Sequence, residues 1–178
     1  MTEYRRRLPH FHPDGEGLFV TWRLHGSLPA PQPDVIYPTP GYAFVAQDHA
    51  LARRSGMLWL SDTRVARHVA ETIRAGEGRE FYELSAWVVM PNHVHPLILP
   101  NKPLPPITHS INCRTAREAN LVLGRSVEPF WQHESYDHRV RNEKEFYRIA
   151  AYIEENPVSA GLAANPQDWP WSSAAMAS

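Results

Sequence analysis

Cysteine is almost absent from this chain. Its 178 residues include one, Cys113, so no internal disulfide can form and a cysteine-built metal site is excluded. A cytoplasmic location is the expectation for such a chain. Long apolar runs are missing as well. None reaches the roughly 18 residues that a membrane-spanning helix needs. The arginines of the opening "MTEYRRRLPHFHPDGEG" precede no apolar core, so the start does not read as a secretory signal. Charge of one sign is also lacking, with a formal net charge of -1. Proteins that live on nucleic acid are usually basic, so any such role rests on local clusters. There are three: Arg5 to Arg7; Arg114 and Arg117; and Arg139, Arg141, Lys144 and Arg148. Each also reads, on its own, as a solvated face.

What is present is ordinary for a soluble globular protein: 43% hydrophobic and 21% charged residues. That supports one domain, expected over residues 1–163, with a tail over 164–178. "GLFVTWRLHGS" alternates as a strand, with Phe19, Thr21 and Arg23 on one face and Leu18, Val20, Trp22 and Leu24 on the other. Five prolines between Leu28 and Gly41 predict an extended connector. Helices are predicted over 42–54 and 61–78. Ser61 or Asp62 would cap the second, Val65, Val69 and Ile73 would be its buried face, and Gly76 its end.

"FYELSAWVVM" and "HVHPLIL", joined by Pro91-Asn92, predict a β-hairpin. "NKPLPP" reads as a break, followed by a helix over 107–124 with Ile111, Ala116 and Leu121 or Val122 buried. A loop should then run to a last helix, "NEKEFYRIAAYIEEN". Asn142 and Glu145 would form its capping box, Phe146, Ile149 and Ile153 its buried stripe, and Pro157 would end it. The pattern predicts an α+β domain: an antiparallel sheet with helices packed on its faces.

The unusual stretch is "SAWVVMPNHVHPLIL". On a strand, His93 and His95 point the same way, roughly 7 Å apart at the backbone, while Val94 points into the core. Two imidazoles on one face are a base for a divalent metal. The other H-x-H, His10-Phe11-His12, lies between prolines and reads as surface loop. In "AYIEENP", Tyr152 and Asn156 share a helix face, one turn apart. Tyr152 also fits an edge-of-core tyrosine, and Asn156 a helix C-cap. Taken with the histidines, Asn156 can lend a third metal ligand. A cation would then favour phenolate at Tyr152, whose ordinary pKa of about 10 makes it a poor nucleophile. That set suits attack on a phosphodiester. Tyr136 and Tyr147 are rival nucleophiles. Trp131 suits the core better than stacking on a base.

"VVMPNHVHPLIL", "FWQHESYDHRVRNEKEF" and "YIEENPVSAGL", in this order, resemble the HUH nucleases, and among them the REP-associated tyrosine transposases. The resemblance runs from about Leu18 to "WPWSS". It implies a ferredoxin-like sheet and a metal-dependent endonuclease and strand transferase. The implied partner is single-stranded DNA carrying a hairpin, with Mg2+ or Mn2+ as cofactor and no membrane or nucleotide cofactor. It assigns the metal to His93, His95 and Asn156, and the nucleophile that takes the 5′ phosphate to Tyr152. Arg114, Arg117, Arg139, Arg141 and Arg148 are the expected phosphate contacts. A monomer is favoured over a homodimer. Departures from the family pattern are Pro96 just past the histidines, Ser159, and Asn112-Cys113; the last two each remove an expected phosphate contact. Two other readings stand beside the nickase: a catalytically silent module that grips hairpin DNA, and a metal hydrolase in which Tyr152 takes no part.

Overall fold

The structure, a computed structural model, describes residues 17–28, 40–54, 56–126, 128–133 and 135–177. The Arg5–Arg7 cluster, the His10-Phe11-His12 pair and the interior of the proline connector lie outside these. Strand β1 (Leu18–Arg23) alternates as expected, with Val20 and Trp22 in one core and Phe19 in another. Helix α1 spans Pro40–Ala52 and α2 Thr63–Gly78. The Asp62 side chain caps α2 by accepting from Arg64 N at 2.9 Å. Val65, Val69 and Ile73 are buried, as their spacing predicts.

Gly76 does not end α2. It makes room for Tyr82, whose hydroxyl donates to Ile73 O at 2.6 Å. A Cβ on residue 76 would lie 2.2 Å from that hydroxyl oxygen.

Strands β2 (Tyr82–Val89) and β3 (His93–Pro100) form the expected antiparallel hairpin. Pro96 leaves β3 regular: the β1–β3 register is the same on either side of it. The irregularity falls on β2, where the register shifts between Leu84 and Ala86.

Helix α3 (Leu104–Val122) begins inside the predicted break. Its prolines occupy the first turn, where the missing N–H has no intrahelical partner to lose. Its buried stripe is Ile107, Ile111, Thr115 and Ala119. Leu121, expected inside, is 66% exposed. The alternative, Val122, packs with Ala116 against the core that buries Ile111; 11 residues bring a helical side chain back to within about 20° of the same face. "YDHR" is a strand, β4 (Tyr136–Arg139), where a loop was expected; four polar-rich residues at a sheet edge carry no hydrophobic alternation to read.

Helix α4 spans Glu143–Ser159 and buries Phe146, Ile149 and Ile153. Asn142 caps it by accepting from Glu145 N at 2.9 Å. The reciprocal bond differs from a capping box: Glu145 accepts from Arg141 N at 2.7 Å instead. The helix also continues two residues past Pro157.

The sheet order is β2-β3-β1-β4. A βαββαβ succession with this order is the ferredoxin-like arrangement. Helices α2 and α3 pack with Val20, Trp22, Val94 and Ile98 on one face. Helix α4 packs with Phe19, Val88 and Leu97 on the other. Residues 169–173 lie along β2: Ser172 bridges Val88, Val89 N donates to Trp171 O at 2.8 Å, and Trp169 Nε1 donates to Val89 O at 2.9 Å. Among the described residues no helix is long and apolar enough to cross a membrane.

Candidate metal and tyrosine site

Alternation along β3 sends Val94 into the α2–α3 core and turns His93 and His95 toward α4. Both are at most 1% exposed, and their ring centroids are 4.6 Å apart. Asp48 of α1 completes the cluster. Its Oδ1 lies 3.1 Å from His95 Nε2 and 3.7 Å from His93 Nε2. One ligand atom from each of the three residues lies within 4.8 Å of the others. Tyr152 reaches the same carboxylate from α4, donating its hydroxyl to Asp48 Oδ2. The Tyr152 and His95 rings are 5.9 Å apart, and Phe19 packs against both.

Each histidine has a partner on its far nitrogen. His95 Nδ1 lies 2.9 Å from Thr21 Oγ1, on the neighbouring strand β1. His93 Nδ1 lies 2.7 Å from Asn92 Oδ1.

The electrostatics follow from burial. Enclosure and the neighbouring His95 push His93 down to about 3, so its ring is neutral near pH 7. Burial alone would raise the Asp48 carboxyl. The His95 hydrogen bond and charge and the Tyr152 hydroxyl outweigh it, and the group is held at about 2. Tyr152 moves the other way. Burial first, then the Asp48 charge, push its phenol up, against a side-chain hydrogen bond with Asn156.

The donor set fits a divalent cation. His93 Nε2 is buried and has no hydrogen-bond partner among the described residues, and it faces a carboxylate and a second imidazole. Two imidazoles and a carboxylate on one side of a pocket are a recurrent divalent-metal base.

Of the sequence candidates, His93, His95 and Tyr152 come together, and Asn156 joins them through Tyr152. Tyr147 is 41% exposed and packs edge-on against Phe146. Tyr136 sits on edge strand β4. Trp131 is a core residue, donating to Thr115 Oγ1 at 2.8 Å.

The arginines divide between two places. Arg141 and Arg148 line a cavity of about 220 Å3 with Asn142, Lys144 and Glu145 at the start of α4, and Arg139 lies close by in sequence on β4. Arg114 and Arg117 line a larger cleft of about 770 Å3 with His68, Arg79 and Glu118. It lies between α2 and α3, on the sheet face opposite Tyr152. Asp48 is absent from the sequence candidates. It lies 45 positions before His93 and matches no spacing rule. Its one signal is that it is the sole carboxylate in α1.

No family model matches the chain. It is 28% identical over 123 residues to the REP-associated tyrosine transposase of Escherichia coli (strain K12), across 68% of this chain and 70% of that one. The chain resembles the REP-associated tyrosine transposases in sequence. Their fold is shared. The structure of such a transposase bound to a REP hairpin superposes with a TM-score of 0.57 at 24% identity, over 99% of this chain and 84% of that one. The similarity extends through the C-terminal segment along β2. The expectation of a transposase-like α+β fold is met.

Proposed function

We propose that this chain is a metal-dependent nickase and strand transferase acting on single-stranded DNA beside a hairpin. The observation that carries the reading is the convergence of Tyr152, Asp48, His93 and His95 on one point between β3, α1 and α4. His93, His95 and Asp48 would hold the cation, with Asn156 as a further oxygen donor from the tyrosine's helix. When bound, the cation draws charge from the scissile phosphate and lowers the phenol's proton affinity. The nitrogen donors favour Mn2+ over Mg2+, which prefers oxygen ligands.

The residues' own parts follow. Tyr152 Oη attacks phosphorus; the bond to the 3′ oxygen breaks and that oxygen takes up a proton from solvent; a 5′-phosphotyrosine and a free 3′ hydroxyl result. Asp48 Oδ2 faces the phenolic proton and can receive it as the bond forms. The burial that keeps Tyr152 protonated also keeps it from reacting before the phosphate is seated. Arg139, Arg141 and Arg148 would contact phosphates on the α4 side. Arg114 and Arg117, with Arg79, would do so in the α2–α3 cleft. A single copy carries the complete residue set, which supports a monomer. A DNA substrate calls for a cytoplasmic location.

Cleavage of hairpin oligonucleotides in Mn2+ tests the reading. Wild type should cut, and Tyr152→Phe or excess chelator should abolish cutting. Cutting that survives Tyr152→Phe would move the chain to the metal hydrolases. Tight hairpin binding without any cutting would make it a silent DNA-binding module.

A further inference from the structure

Asn92 sits at the hairpin turn between β2 and β3 and is 1% exposed. Its backbone O accepts from Leu24 N at 2.8 Å, which fixes its place against the end of β1. Its side chain has two neighbours. Nδ2 donates to Leu51 O at 2.9 Å, and Oδ1 lies 2.7 Å from His93 Nδ1. A carbonyl oxygen only accepts, so Leu51 O settles which way the amide points. With Nδ2 on Leu51, Oδ1 is the atom facing His93, and it too only accepts. His93 Nδ1 must therefore carry a hydrogen. In the neutral ring, the form that binds a metal, Nε2 is then bare. That atom is the buried nitrogen with no hydrogen-bond partner among the described residues, 3.7 Å from Asp48 Oδ1.

His95 is held the other way. Its Nε2 lies 3.1 Å from Asp48 Oδ1, a carboxylate oxygen that only accepts, and its Nδ1 faces the Thr21 hydroxyl, which can donate. Of the two rings, His93 is the one whose Nε2 is left bare toward the site. Leu51 is also three residues beyond Asp48 on the same helix. One amide thus links the helix carrying the carboxylate to the ring that shares its site.

We infer that Asn92 is a positioning residue: by reading the Leu51 carbonyl it holds His93 with hydrogen on Nδ1, keeping Nε2 as a preset electron-pair donor for a divalent cation. This rests on the metal-site reading above. A buried nitrogen with no partner is costly to keep, and a ligand held in advance is the use that accounts for it. Outer partners of this kind fix ring orientation and tautomer at metal sites.

Two measurements on the full chain test the inference. The first needs no variant. Nitrogen-15 chemical shifts and long-range couplings of the His93 ring, taken without added metal, should show hydrogen on Nδ1 and none on Nε2. Hydrogen on Nε2 overturns the inference, whatever the metal does. The second is Mn2+ affinity, read by calorimetry or by the free-ion signal in electron paramagnetic resonance. Asn92→Leu should bind Mn2+ roughly 10- to 100-fold more weakly than wild type. Thr21→Val, which removes the outer partner of His95 and leaves the Asn92–His93 pair intact, serves as the comparison. Equal Mn2+ binding by wild type and Asn92→Leu overturns the inference and leaves the metal site standing. A wild type that binds no Mn2+ overturns the metal-site reading, and with it the purpose assigned to Asn92. If Asn92→Leu does not fold, the ring shifts of the wild type decide alone.

Discussion

Asp48 divides its two oxygens between the histidines and the tyrosine, and much of the site's behaviour turns on that division. Replacing it with Asn leaves the shape but removes the charge that faces the imidazoles. Asp48→Asn should weaken Mn2+ binding roughly tenfold or more in calorimetry, in line with removal of a ligand or its close support. An unchanged affinity would restrict the cation to the histidines and Asn156. Gly76 is a residue-scale constraint of another kind. Gly76→Ala drives a methyl into the Tyr82 hydroxyl and should cost about 1–3 kcal/mol in urea unfolding. Legibility at this scale followed chemistry that repeats. His93, His95, Tyr152 and Asn156 were readable because strand and helix periods put each pair on one face. Asp48 and Asn92 were not. Asp48 comes from a distant helix, and Asn92 is indistinguishable from any turn asparagine until Leu51 O is placed beside it.

The elements that matter most are α4 and the β2–β3 hairpin, because their packing sets the distance from Tyr152 to the histidines. Ile153 is fully buried beside Tyr152. Ile153→Ala should cost about 2–5 kcal/mol by chemical denaturation and lower cleavage by loosening the tyrosine's seat. Helix α2 offers a pH test. The Asp62 carboxyl, at the protein surface, is held at about 2 by hydrogen bonds from Arg64, below its ordinary 3.8. A lowered carboxyl stabilises the fold above 3.8, and that contribution fades as pH falls toward 2. The melting-temperature gap between wild type and Asp62→Asn should therefore shrink across that window and stay constant above it. Helices with a 3.6-residue stripe, such as α2 and α4, were legible from sequence. The start of α3 and strand β4 were not. Prolines in a first helical turn resemble a break, and four polar-rich edge residues resemble a loop.

At the scale of the whole molecule, the ferredoxin-like sheet separates two cores and gives each a different duty. One side holds the tyrosine site against α4, and the other carries the arginine-lined α2–α3 cleft. The C-terminal segment covers the outer edge of β2, which would otherwise present unpaired backbone groups. Ending the chain at residue 163 should expose that edge and raise self-association, seen as a higher apparent mass by light scattering; a well-behaved monomer would show that the edge needs no cover. The fold class was legible because the order of strands and helices dictated it. The two-sided placement of the arginines was not, because composition does not say which face a helix covers.

The most direct test of the account is the covalent adduct. The full chain is mixed with Mn2+ and a single-stranded oligonucleotide carrying a hairpin, then digested and examined by mass spectrometry. The account predicts DNA attached through a 5′ phosphate to the peptide containing Tyr152, lost in Tyr152→Phe and in chelator. Cleaved DNA with no adduct, or an adduct on Tyr136 or Tyr147, would contradict it.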